Sequence, residues 1–183
     1  MNLRHCIFPL MATLASAALA QAPPTPPASS PPPPACTGPE HRQFDFWVGD
    51  WDVYPTGKPN RVARSLIEKL YGGCVVRENW MPLAGTPGGS LNHYDRGQSR
   101  WHQTWMDASN ARVVFEGGLV GGKMVLSGFW KGANGPGQDG LVRMTYSQLE
   151  AGAVRQFGEI STDHGLTWSP FFDFTYKPRT SAK

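Results

Sequence analysis

From His41 to Tyr176 the chain repeats one pattern. Short segments in which apolar and polar residues alternate are separated by turn residues at close intervals. Alternation with a period of two is the signature of a strand with one face turned to a core. Ten segments read this way, over 42–54, 60–70, 73–81, 88–95, 99–107, 111–119, 123–131, 140–149, 153–161 and 167–177. Between them lie Pro55-Thr56-Gly57, Gly72-Gly73, Gly88-Gly89, Asp95-Arg96-Gly97, Asn134-Gly135-Pro136-Gly137 and Asp163-His164-Gly165, all of them turn chemistry. Residues 64–70, followed by Gly72-Gly73, also fit a short helix with a glycine cap. Strands at hairpin distance on both sides favour a strand there. No segment holds a helical period long enough for a parallel crossover, so the sheet is antiparallel. A twisted sheet of this size left open would expose two edges, and closure removes both. The expected fold is all-β, an antiparallel up-and-down β-barrel of about ten strands. A two-sheet sandwich is the competing arrangement, but it needs longer crossing connections, and only the stretch near 131–140 is long.

The first forty residues follow different rules. Residues 1–22 read as a signal peptide: Arg4 and His5, then an apolar stretch from Cys6 to Leu19, then Ala18-Leu19-Ala20 and Ala20-Gln21-Ala22 as cleavage sites. The apolar stretch is too short to span a bilayer, so no membrane span is expected after signal cleavage. Residues 23–40 form a Pro-rich disordered linker containing the unbroken run Pro31 to Pro34. A β-barrel domain is expected over 41–178 and a tail over 179–183. The chain is placed outside the cytoplasm, in a bacterial periplasm or the extracellular space. Of three cysteines, Cys6 leaves with the leader, and Cys36 and Cys74 are expected to pair in an oxidising compartment. Closing that loop contributes roughly 4 kcal/mol in the chain-entropy account. The net charge of +3 is dispersed, with no Lys/Arg run of the kind that binds nucleic acid.

Several strand faces combine large aromatics with an amide or a charge. Glu78 and Trp80 share a face, as do Asn92 and Tyr94, and Trp101, Gln103 and Trp105. A wall that only packs is built from Val, Ile and Leu. A mixed wall suits a cavity for a small, partly apolar molecule. The candidate lining is Trp51, Glu78, Trp80, Asn92, Tyr94, Trp101, Gln103 and Trp105, with Arg143 as an anion anchor. Alternation fixes which residues share a face and not which face is inside. Three functions fit: a non-covalent small-molecule binder, a hydrolase or isomerase-type enzyme using Glu78 or His102, and a secreted interaction module whose barrel is filled.

Other chemistry finds little support. His102 has no partner at zinc-ligand spacing, and no Cys/His cluster exists, so no metal is expected. No cofactor is expected either, although haem, which needs only one histidine, stays open. No catalytic residue is assigned, because there is no Gly-x-Ser-x-Gly elbow and no activated cysteine. Ser161-Thr162-Asp163-His164-Gly165-Leu166-Thr167-Trp168 resembles the Asp-box of sialidases, a folded hairpin that is not itself catalytic. One copy implies a turn and not a propeller.

The stretch Phe44-Asp45-Phe46-Trp47-Val48-Gly49-Asp50-Trp51-Asp52-Val53 resembles the opening signature of an uncharacterised bacterial family of exported domains. The blocks Gly73 to Trp80, Ser90 to Asp95, Trp101 to Asp107 and Asp163 to Trp168 are similar to others of that family. The resemblance covers about residues 41–177 and implies a calycin-like barrel with no agreed function. Gly49-Asp50-Trp51 is also similar to the Gly-x-Trp of lipocalins, whose barrels bind small apolar ligands. In those an arginine late in the barrel packs over the tryptophan, and Arg179 stands at a comparable place. Nitrobindin-type barrels are similar in shape, but no haem ligand can be matched to a residue here. Read as one strand, 44–53 is apolar on both faces. One face then looks into the barrel, and the other needs an outside cover, for which 23–43, tied back by Cys36–Cys74, is the nearest segment.

Overall fold

The computed structural model describes residues 36–180; the expected signal peptide, most of the expected linker and the last three residues of the expected tail lie outside the described residues. Ten strands close into one barrel. They are β1 (Gly49–Pro55), β2 (Ala63–Leu70), β3 (Val75–Pro82), β4 (Gly88–Asp95), β5 (Arg100–Asp107), β6 (Arg112–Val120), β7 (Lys123–Trp130), β8 (Gly140–Gln148), β9 (Val154–Ser161) and β10 (Ser169–Pro178). Every strand is antiparallel to its sequence neighbour, and β1 pairs with β10 from Trp51↔Pro178 to Pro55↔Phe174. The segment that also fitted a helix is β2, because strands on both sides supply its hydrogen-bond partners.

The start of the domain departs from the expected strand over 42–54. Residues Pro39–Arg42 and Asp45–Trp47 form 3-10 turns, and the strand begins only at Gly49. In a 3-10 turn residues three apart share a face. Phe44 and Trp47 therefore point the same way, into the barrel, where both are wholly buried. A strand would have put them on opposite sides. They stack on each other at 4.9 Å, and both meet the ring of Tyr146, at 5.0 and 4.9 Å. Trp101 lies edge-on to Phe44 and Tyr176 to Trp47. The segment is thus an aromatic plug in one end of the barrel, and the outside cover expected from the linker is not needed. The end of the 23–43 segment joins the closure instead: His41 is buried edge-on against Tyr94, and Gln43 accepts a hydrogen bond from Trp101 Nε1 (3.0 Å).

Gly49 and Trp51 lock the plug to the first strand. The indole of Trp51 folds back so that a Cβ on residue 49 would lie 3.0 Å from its ring, and its Nε1 donates to the Trp47 carbonyl (2.9 Å). Arg179 is exposed; its backbone N–H donates to the Asp50 carbonyl, and its charge helps to hold the Asp50 carboxyl below the usual range, behind the larger effect of Arg64. Cys36 and Cys74 are disulfide-bonded, which ties the chain just before the plug to the base of β3. The Asp163 turn folds as its sequence suggests. Asp163 accepts hydrogen bonds from the backbone and side chain of Thr167 and from Ser161, which hold its carboxyl down at about 2.

Trp47→Ala is expected to lower stability by about 3–5 kcal/mol, because it removes a fully buried indole whose space the barrel wall cannot fill. Urea unfolding of wild type and variant measures this, and a loss below about 1 kcal/mol would mean that the plug is not part of the core.

A candidate ligand cavity with a polar floor

Above the plug the barrel interior is not filled. A cavity of about 180 Å³ is lined by Glu78, Trp80, Gln103, Trp105, Phe115, Trp130, Met144, Tyr146, Gln156, Phe172, Phe174 and Tyr176. Each comes from the inward face of its strand, as the two-residue period requires. The lining is layered. Trp80, Trp105, Trp130, Phe172 and Phe174 are half-buried and mark the mouth, whereas Glu78, Gln103, Tyr146, Gln156 and Tyr176 are buried and form the floor, with the plug beneath. At the mouth, Phe172 and Phe174 stack at 5.6 Å and Trp80 leans on Phe174. Phe172 lies across β9 where Gly158 leaves room for it; a Cβ there would sit 2.5 Å from the ring. The strand register shifts between Pro170 and Phe172, next to this ring. Trp105 is pinned by its Nε1, which donates to Asp107 (3.2 Å).

The floor is a connected hydrogen-bond network. The hydroxyls of Ser65 and Ser90 each donate to one oxygen of Glu78, at 3.1 Å. Asn92 donates to Ser90 and to the Val76 carbonyl, and accepts from Gln103 (2.7 Å). Gln103 also donates to the Tyr146 hydroxyl, which receives a second bond from Gln156 (2.9 Å). The Tyr176 hydroxyl donates to Gln156 Oε1 (2.6 Å). Buried polar groups need such partners, since each one left bare costs on the order of 1–3 kcal/mol. Glu78 is the exception in charge: no Lys, Arg or His lines the cavity. Burial pushes its carboxyl up to about 7, partly offset by hydrogen bonds from Ser65 and Ser90 and by the neighbouring Tyr176 hydroxyl. Burial likewise drives the Tyr146 and Tyr176 phenols far above their ordinary range, and the nearby Glu78 charge adds to it.

Of the residues read from the sequence, Glu78, Trp80, Gln103 and Trp105 line the cavity, and Asn92 belongs to the floor's hydrogen-bond network beside Gln103. Trp51 and Trp101 are buried at the plug, and Tyr94 packs against His41 and Trp101 away from the cavity. Arg143 is on the outer face and cannot anchor an anion inside. It is paired with Glu159 (2.9 Å), and its guanidinium lies 4.1 Å over the Trp168 ring. The alternation of β8 explains this, since Val142, Met144 and Tyr146 turn inward and a charged residue between them must face out. His102 is also on the outer side, stacked on His93 and 3.6 Å from Glu116, so it is remote from Glu78's chemistry. Phe115, Trp130, Met144, Tyr146, Gln156, Phe172, Phe174 and Tyr176 were missed. An apolar face opposite charged neighbours on β8, β9 and β10 was the available signal. Among the described residues no group of three His, Cys, Asp or Glu side chains is placed to hold a metal ion.

A carboxyl that binds its proton more tightly in the folded chain than in the unfolded one loses stabilisation as pH rises between the two values. For Glu78 that window runs from its ordinary 4.5 to about 7. Stability is greatest below the window, falls through it and is level above it as far as this group is concerned. Glu78→Gln keeps the size and removes the titration. Relative to wild type it is expected to gain up to about 3 kcal/mol between the acid and neutral ends. Urea midpoints of both proteins at the two ends of the window read the difference; parallel curves would contradict it.

A comparison with models of known protein families found no match to this chain, and a comparison with curated proteins found none either.

Proposed function

We propose that this protein is an exported barrel that binds a small, partly apolar molecule without covalent chemistry. The observation that carries the reading is the cavity itself, with half-buried aromatics at its mouth and a hydrogen-bonded floor that includes one acid. Apolar walls with a few placed polar groups are the usual form of a small-molecule site. At about 180 Å³ it takes one ring-sized group, as an engineered cavity of about 150 Å³ takes a benzene. Longer ligands extend out through the mouth. The Gly49–Trp51 contact and the closed ten-stranded barrel support a calycin-like relation. The Cys36–Cys74 bond and the leader-like residues 1–22 support export from a bacterial cell. Among the described residues no helix is long and apolar enough to cross a membrane.

An acid–base enzyme is the second reading, because a carboxyl near neutrality in a cavity is what such catalysis uses. Binding is preferred on the chemistry of the floor. Its other groups are amides, hydroxyls and phenols that exchange no proton near neutral pH, so Glu78 has no acid or base to work with.

Protein isolated from its own periplasm is expected to carry a small organic molecule visible by native mass spectrometry. Indole, as a ring-sized probe, is expected to bind in calorimetry. Trp130→Ala is expected to weaken indole by about tenfold while unfolding stays cooperative. No co-purified molecule together with no indole binding would refute the reading.

A further inference from the structure

Most acids elsewhere in the strands meet basic partners; Asp95 and Asp107, at strand ends, accept from turn amides instead. Asp50 faces Arg64, Glu159 faces Arg143 and Asp173 faces Arg155, all on the outer wall. Glu78 is opposed across the sheet by Ile67 and Ser90, and its carboxyl meets only hydroxyls. A carboxylate has about four lone-pair directions, and Ser65 and Ser90 occupy one on each oxygen. The Tyr176 hydroxyl lies near a third, and at least one direction remains for a donor arriving from the cavity. The rest of the lining suits the same arrival. Trp80, Trp105, Trp130, Phe172 and Phe174 are aromatic, and the face of such a ring carries a negative quadrupole that attracts a cation. An anion would meet those faces and Glu78 with no base to receive it. A buried acid is costly unless paired, and in this cavity the counter-charge has to come with the ligand.

We infer that the ligand is cationic: a ring-sized organic amine, its ammonium hydrogen-bonded to Glu78 and its body held among the tryptophans of the mouth. This rests on the reading of the cavity as a binding site and adds the ligand's charge. Binding neutralises the one unpaired acid of the lining and holds it ionised. Affinity therefore falls as pH drops below neutrality and a proton competes for the same oxygen atoms.

Benzylamine, benzyl alcohol and benzoate share a ring and differ in charge. Calorimetry with the full mature chain at about pH 8, where an alkylamine stays protonated as lysine does, compares them. Benzylamine is expected to bind about tenfold or more tightly than benzyl alcohol, with benzoate weakest. The amine's lead is expected to shrink at about pH 5.5, where Glu78 carries its proton. Glu78→Gln is expected to cut benzylamine affinity about tenfold. If that variant does not fold, the wild-type comparison across the two pH values decides alone. Benzyl alcohol or benzoate binding as well as benzylamine at the higher pH would overturn the cationic ligand and leave a binding barrel standing. No measurable binding of any of the three, together with no co-purified molecule, would overturn the binding reading and this inference together.

Discussion

The rest of this structure depends on the pairing of β1 with β10. Once Trp51 to Pro55 register against Phe174 to Pro178, the sheet has no free edge, and every strand divides its residues between an inside and an outside. An interior bounded by about eight strands is just filled by the side chains of its own wall. Ten strands enclose more than their side chains fill, and the excess has to be occupied or left open. Here it is divided. Phe44 and Trp47 occupy one end as a plug, and the cavity of about 180 Å³ is the space that remains at the other.

That division sets the electrostatics of the site. The plug lies beneath the floor, and Glu78 on that floor is only 6 % exposed. Its carboxyl rises to about 7 because burial outweighs the hydroxyls that favour its charge. The network through Asn92, Gln103, Tyr146, Gln156 and Tyr176 holds the floor in one arrangement, since each member's donors are already committed to a neighbour. The outer wall follows ordinary rules. Its acids pair with arginines across strands, exposed to water and of modest energetic weight.

Much of the barrel was legible in the sequence because alternation and turn chemistry are local. The ten segments and the antiparallel order follow from them, and so does the sharing of a face by Glu78 with Trp80 and by Gln103 with Trp105. The candidate site was legible in part. Arg143 was assigned inward because nothing local says which face of β8 is covered, although Val142, Met144 and Tyr146 beside it were a usable hint. Trp51, Tyr94 and Trp101 have the composition of a cavity wall and serve the plug instead, a distinction that depends on height along the barrel axis. Cys36 and Cys74 were paired by counting, and the fold brings them together.

The sequence by itself determined an all-β chain of ten antiparallel segments and the residue types available to each face, because a period of two and a turn signal need only neighbours in the chain. Tertiary structure decided that 44–47 is a plug and not a strand. That outcome requires the rings of Tyr146, Trp101 and Tyr176, far away in sequence, to receive Phe44 and Trp47. It also decided which acid is a surface charge and which is the lone charge of a cavity. Glu78 and Glu159 each share a strand face with an aromatic two residues away, Trp80 and Phe157. One is turned toward hydroxyls and aromatic rings and the other toward an arginine by the closure of the sheet alone.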